Sequence, residues 1–69
     1  MRAIIRLKQA GMTRQQIANA IGATRQAVGF WERGLRSPDH DNRQKLIALA
    51  DSRGVLLLAA DFSKASAEE

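Results

Sequence analysis

Cysteine is absent from this sequence of 69 residues, and histidine occurs only once. The lack of cysteine excludes disulfides and thiolate metal sites as supports for the core, so stability has to come from packed side chains. No apolar run approaches the roughly 20 residues of a membrane span. Arg6 and Lys8 interrupt the apolar stretch near the N-terminus, which argues against a secretory signal. We therefore expect a cytoplasmic protein with no membrane association.

The sequence also lacks a recognisable group of catalytic or metal-binding residues. No nucleophile, base and orienting group form a recognisable set, and no glycine-rich loop would cradle a phosphate. His40 lies between Asp39 and Asp41, but three adjacent loop residues surround an ion poorly. Capping of the following helix by Asp39 or Asp41 explains the pattern better. We expect neither an enzyme nor a bound metal, cofactor or small-molecule ligand.

What the sequence does have is a globular composition with an uneven charge. Hydrophobic residues make up 45% and charged residues 26%, which is typical of a folded domain. The length fits one compact domain, placed at residues 1–62, with a flexible tail at residues 63–69. Residues 1–36 contain seven Lys or Arg and one acid (+6), whereas residues 37–69 contain four basic and six acidic residues (−2). The basic half indicates a polyanionic partner, although a solvated basic face would give the same pattern.

Glycine and proline divide the chain into helical segments. Apolar spacing and end signals predict four helices, at about residues 2–10, 13–21, 25–33 and 41–53. The second has the clearest start, because Thr13 and Gln16 have the spacing of a capping box and Gly22 closes the helix. Thr24 caps the third helix. The chain is therefore predicted to be mainly α-helical.

The segment after Gly54 is ambiguous. Residues 55–60 form a run of six apolar residues, compatible with a short fifth helix or with a C-terminal strand. The run is also longer than a small core requires, and exposed apolar area often marks an interface. We therefore hypothesise a two-fold dimer whose interface contains Leu56, Leu57, Leu58 and Phe62.

The third helix divides into two faces when its residues are placed at about 100° intervals. Its apolar stripe, predicted to face the core, consists of Ala27, Val28 and Trp31. The opposite face carries Arg25, Gln26, Gly29, Phe30 and Arg33. In a major groove, arginine can pair with guanine, glutamine with adenine, and an apolar side chain with a thymine methyl group. Gly29 costs about 1 kcal/mol relative to alanine, and it either lets the backbone approach bases or is merely tolerated on an exposed face.

Several short motifs follow one another in residues 12–34. They are Met12-Thr13 before the second helix, Gln16-Ile17-Ala18 within it, Ile21-Gly22 at the turn, Val28 in the third helix and Trp31-Glu32-Arg33-Gly34 at its end. As a set they resemble the helix-turn-helix of the lambda-repressor-like family, which includes phage repressors and Cro proteins, and the motif itself spans about residues 13–33. The resemblance implies a compact domain of four to five helices whose third helix lies in the major groove of double-stranded DNA.

The resemblance also implies roles for single residues. Arg25, Gln26 and Phe30 occupy base-reading positions, and Gly29 lies among them. Phe30 is bulky where a polar residue is common, so it would contact a methyl group or act as a wedge. The residues expected to contact phosphates are Thr13, Arg14, Thr24, Arg33, Arg36 and Arg43.

The function predicted from these features is sequence-specific regulation of transcription. The leading hypothesis is a Cro-like repressor that binds a palindromic operator as a homodimer through residues 24–33. Close alternatives are an antitoxin or a controller protein that regulates its own operon. An alternative from another class is a helical protein-interaction module whose basic face meets an acidic protein.

Overall fold

Short helices joined by tight loops make up the computed structural model, which describes residues 1–62. In chain order they are α1 (Arg2–Gln9), α2 (Arg14–Ile21), α3 (Arg25–Glu32), α4 (His40–Ser52) and a 3-10 turn (Ala59–Phe62). Within the described residues there is no strand, and none of the helices has the length and apolar character needed to cross a membrane. The predicted all-α domain is confirmed. The tail predicted at residues 63–69 lies outside the described residues.

Local hydrogen bonds fix where α2 and α3 begin. The Gln16 amide donates to the Thr13 hydroxyl at 3.1 Å, and the Thr13 amide donates to the Gln16 side-chain oxygen at 2.9 Å, which completes the predicted capping box. The Thr24 hydroxyl accepts from the Ala27 amide at 3.0 Å. Between them Gly22 has φ 72°, a left-handed conformation that glycine enters without steric cost. These contacts end α2 and start α3 within a short, defined turn.

An apolar core lies between the four helices. Its largest fully buried side chains are Ile4, Leu7, Ile17, Leu46 and Val28. Trp31 is 5% exposed and belongs to the same cluster, so its predicted place in the core is confirmed. Because α3 has only eight residues, too few to persist alone, the burial of Val28 and Trp31 is what holds it on the domain.

The chain after α4 contains no strand within the described residues, and its helical structure is limited to the 3-10 turn that begins at Ala59. Residues 55–58 are irregular, and the 3-10 turn follows. Asp61 gives the physical reason. Its buried carboxylate accepts hydrogen bonds from the Leu58 amide at 2.8 Å and from Arg6 Nε at 3.1 Å, which draws the segment into a tight turn against α1.

The same turn changes the surface available for a dimer. Leu57 and Phe62 are buried in the core of the chain, not on the surface where the dimer hypothesis needs them. Leu56 and Leu58 point outward instead, with 72% and 54% of their surface exposed. Burial alternates along this segment because the side chain of Leu57 packs into the core, whereas those of Leu56 and Leu58 point to solvent. Only half of the predicted dimer residues are therefore accessible.

Candidate nucleic-acid interface

The outward face of α3 forms part of a shallow groove, which we call the α3 groove. Its lining residues are Arg14, Arg25, Gln26, Gly29, Phe30 and Arg33. The groove thus gathers every residue predicted on the outward face of α3 and adds an arginine from α2. Arg25, Gln26 and Arg33 are exposed, and Phe30 is half-buried. Three guanidinium groups and one amide around a single surface are suited to hydrogen bonds with bases and phosphates.

Gly29 lies in this groove with open space above it. Its backbone is buried by neighbouring groups, yet a Cβ atom added to it would meet no atom within 4 Å. Packing within the chain therefore does not require glycine at this position. The open space is accessible to a ligand in the groove.

The start of α2 opens onto a second shallow groove beside the first. Its lining residues are Lys8, Met12, Thr13, Arg14, Gln15 and Arg25, so it shares two arginines with the α3 groove. The hydroxyls of Thr13 and Thr24 each accept a capping hydrogen bond, which leaves the hydroxyl proton free to donate. Backbone amides at a helix N-terminus also favour anions. The predicted phosphate contacts Thr13, Arg14 and Thr24 thus keep donors that suit that role.

Glu32 is a central charge of this region, although the sequence predicts no role for it. Its carboxylate accepts a hydrogen bond from Arg14 Nε at 2.6 Å and one from Lys8 Nζ at 2.9 Å, which links α1, α2 and α3. Partial burial alone would raise the pKa of Glu32. The hydrogen bonds and positive charges of Arg14 and Lys8 outweigh this effect and lower the pKa below its ordinary value. The signal in the sequence was its isolation, since Glu32 is the only acid among residues 1–36.

Phe30 is the centre of a second cluster of positive charge, which the spacing of residues in the sequence indicates only in part. The guanidinium carbons of Arg33 and Arg36 each lie 5.7 Å from the centroid of its ring. Arg33 Nε also donates to the Gly29 carbonyl at 3.3 Å. Arg33 follows Phe30 by three positions at the end of α3, which puts the two on one side of the helix. Arg36 lies in the loop beyond Gly34, whose φ is 74°, so the turn and not helical spacing brings it to the ring. We call Phe30, Arg33 and Arg36 the Phe30 cluster.

Two of the four arginines predicted to contact phosphates, Arg36 and Arg43, lie outside the α3 groove. Arg36 is exposed in the loop after α3, and Arg43 lies in the first half of α4 with its guanidinium carbon 5.1 Å from the centroid of the Phe62 ring. An extended polyanion, such as the backbone of a nucleic acid, can contact cations that are separated in this way.

Asp39 has the capping role predicted for the acidic residues around His40. Its carboxylate accepts from the Asn42 amide at 2.9 Å, and His40 is the first residue of α4. Within residues 1–62, no group of three or more histidine, cysteine or acidic side chains is placed to hold a metal ion.

The fold and the groove together define a DNA-binding domain of the helix-turn-helix class. The family model described as Helix-turn-helix, of the Cro and C1 repressor type, matches residues 4–51. The chain therefore belongs to this family, whose members are DNA-binding regulators of transcription. Comparison with curated proteins and with solved structures gave no match.

Proposed function

We propose that this protein is a Cro-like repressor that binds a palindromic operator as a homodimer and places α3 in the major groove. One observation carries the proposal. The outward face of α3 combines base-pairing side chains, an empty position at Gly29 and arginines that no acidic side chain neutralises within the described residues. This combination suits the edges of bases flanked by phosphates.

Arg25 and Gln26 are the base readers in this proposal. Both are exposed in the first turn of α3, where the helix-turn-helix approaches base edges most closely. Arg25 pairs with a guanine and Gln26 with an adenine, in the bidentate geometries that their side chains allow. Gly29 lets the helix backbone approach the bases between them.

The phosphate contacts surround these readers. They are Thr13, Arg14, Thr24, Arg33, Arg36 and Arg43. They come from α2, α3, the following loop and α4, so they would hold the domain on the backbone on both sides of the base-reading helix. Contacts of this kind fix the register on the duplex and make binding depend strongly on salt.

The dimer would form through the surface beside α1. Leu56 and Leu58 line a shallow depression together with Arg6, Gln9 and neighbouring backbone. Arg6 and Gln9 also border Ile5, which is 42% exposed, so the apolar surface continues onto α1. A dimer that binds a palindromic operator has to present its two α3 helices to half-sites about one turn of DNA apart. Sedimentation with and without DNA tests this part, and a monomer in both conditions would remove it.

Selection of bound sequences from a random duplex pool is the experiment that tests DNA readout. We expect one enriched site with two-fold symmetry. On that site Arg25→Ala and Gln26→Ala should each cost about 1–3 kcal/mol, with little loss on random DNA. Arg53→Ala is the matched control, because it removes the same charge from an exposed position that lines neither groove.

The alternative functions predict different results. An antitoxin or a controller protein would select a site in the same way, but the site would lie in the promoter of its own operon. A helical protein-interaction module would select no sequence, and Arg25→Ala and Gln26→Ala would leave DNA binding unchanged. The second result would contradict the proposal.

A further inference from the structure

Phe30 contacts positive charge on the outward side of α3. Two guanidinium carbons lie within 6 Å of its ring centroid, both at 5.7 Å, which is the distance range of cation–π attraction. The ring is half-buried, so its position is fixed by the domain. The hydrogen bond from Arg33 Nε to the Gly29 carbonyl restrains one of the two arginines further.

The Phe30 cluster holds two like charges without a counter-charge. Within residues 1–62, no carboxylate lies within ion-pair distance of Arg33 or Arg36, whereas Arg6, Lys8 and Arg14 all have such partners. Both guanidinium groups therefore keep a positive charge that no carboxylate of the described residues offsets. Phosphates accept strong, charge-assisted hydrogen bonds from guanidinium groups, so a phosphate backbone beside the ring is a suitable counter-charge.

We propose that Phe30 is a positioning residue that holds Arg33 and Arg36 as a clamp for the phosphate backbone, and that it does not itself read a base. The proposal rests on the proposed function, since it assumes that α3 binds duplex DNA. It changes the role expected for Phe30 from the sequence, which was contact with a methyl group or a wedge between bases. The physical basis is preorganisation, because arginines already ordered on a ring lose less side-chain entropy when they bind.

The variant Phe30→Leu distinguishes the positioning of Arg33 and Arg36 from direct contact between Phe30 and a base. Leucine keeps an apolar side chain that can touch a thymine methyl group, but it has no π face to hold a guanidinium group. Phe30→Tyr keeps the ring. The measurement is the dissociation constant on a random-sequence duplex and on the selected site, each over a series of salt concentrations.

We expect Phe30→Leu to weaken binding to both duplexes by about five- to tenfold, the loss of preorganisation for two arginine side chains. Phe30→Tyr should restore binding to within about twofold of the wild-type chain, because the ring is what orders the arginines. The salt slope is the change in the logarithm of the binding constant with the logarithm of the salt concentration. For the Arg33→Ala/Arg36→Ala double variant, its magnitude should be about two units smaller than for wild type. The slope of Phe30→Leu should move toward that of the double variant. In that double variant, Phe30→Leu should have no further effect.

The control for folding is thermal unfolding by circular dichroism, with Arg33 and Arg36 side-chain proton shifts as a second readout. In the free wild-type chain the ring current of Phe30 should displace these shifts, and Phe30→Leu should return them to ordinary values while the melting curve remains cooperative. This readout needs no DNA. It therefore reports the cluster independently of binding.

Two results would overturn the clamp while leaving the proposed function in place. One is a Phe30→Leu variant that binds both duplexes as tightly as wild type. The other is a variant that loses preference at one base pair of the selected site but binds random DNA unchanged, since that pattern means direct base readout by Phe30. A wild-type chain that binds no duplex at all would overturn the proposed function, and the clamp with it.

Discussion

Arginines at the two ends of the proposed DNA-facing surface have opposite surroundings. At the start of α2, Arg14 shares the carboxylate of Glu32 with Lys8, and the group ties three helices together. At the end of α3, Arg33 and Arg36 contact an aromatic ring, and no acid within residues 1–62 pairs with them. The first arrangement uses positive charge to stabilise the fold. The second leaves positive charge available to a polyanion, so a count of basic residues alone overstates the charge that DNA would meet.

Glu32→Ala should have the largest effect, because it removes the carboxylate that links α1, α2 and α3. We expect the free energy of unfolding to fall by about 1–2 kcal/mol, since two ion pairs with partly exposed cations are lost and each contributes up to about 1 kcal/mol. Affinity for random DNA per folded molecule should rise, because Arg14 and Lys8 lose their counter-charge. Urea unfolding followed by circular dichroism measures the first effect, and a binding titration measures the second.

Asp51→Ala is the matched control for that variant. Asp51 is an exposed acid on α4 and has no ion-pair partner among the described residues. Its removal should change stability by less than about 0.5 kcal/mol. Equal stability losses for the two variants would contradict the structural role given to Glu32.

Lowering the pH should reduce the free energy of unfolding, because it protonates the carboxylate of Glu32. Because the folded state lowers the pKa of Glu32, its ionised form stabilises the fold above the ordinary pKa, and this contribution is lost as the pH falls through the lowered pKa. The urea midpoint of the wild-type chain should therefore fall more steeply than that of Glu32→Gln when the pH decreases below the ordinary pKa of a glutamate. The difference between the two plots of urea midpoint against pH isolates the contribution of Glu32 from that of the other acids. Parallel plots would contradict the lowered pKa of Glu32.

Gly29→Ala should separate stability from binding in the α3 groove. A Cβ atom meets nothing within 4 Å there, so the domain should gain up to about 1 kcal/mol of helix stability. Affinity for DNA should fall, because the methyl group occupies the space that a base edge would approach. Ala48→Gly, at an exposed position of α4, is the reverse change and should lose about the same stability without affecting DNA binding. If Gly29→Ala bound DNA as tightly as wild type, the glycine would be merely tolerated.

Among the arginines proposed to contact DNA, Arg14 should have the smallest effect when it is replaced by alanine. Nε of Arg14 already donates to Glu32, and only its remaining donors are available to a phosphate. We expect specific and random DNA to be weakened alike, with a decrease in salt slope of no more than about one. Arg36→Ala should weaken binding more. A larger loss of affinity for Arg14→Ala than for Arg36→Ala would contradict the difference described between the two ends of the surface.

Local features of the chain were predictable and distant ones were not. The capping box at Thr13, the left-handed Gly22 and the inward position of Trp31 depend on residues a few positions apart, so spacing alone indicates them. The bonds of Glu32 to Arg14 and Lys8 join residues 18 and 24 positions apart. They depend on how α1 and α2 pack, which periodicity does not specify.

The C-terminal segment shows the same limit more clearly. Its shape depends on the bond from Arg6 to Asp61, across 55 positions of the chain. A continuous apolar run contains no signal for that bond. The sequence therefore predicted a regular element at residues 55–60, whereas residues 55–58 are irregular, with Leu57 facing inward, and the turn that the Asp61 carboxylate holds begins at Ala59.

Trp31, described above as part of the core, also gives this protein a built-in optical probe. The chain contains one tryptophan and no tyrosine, so its intrinsic fluorescence comes almost entirely from one indole ring on the inner side of α3. A groove-bound duplex would not touch that ring. Emission should therefore report the packing of α3 against the core, and a spectral shift on adding DNA would show that the helix moves when it binds.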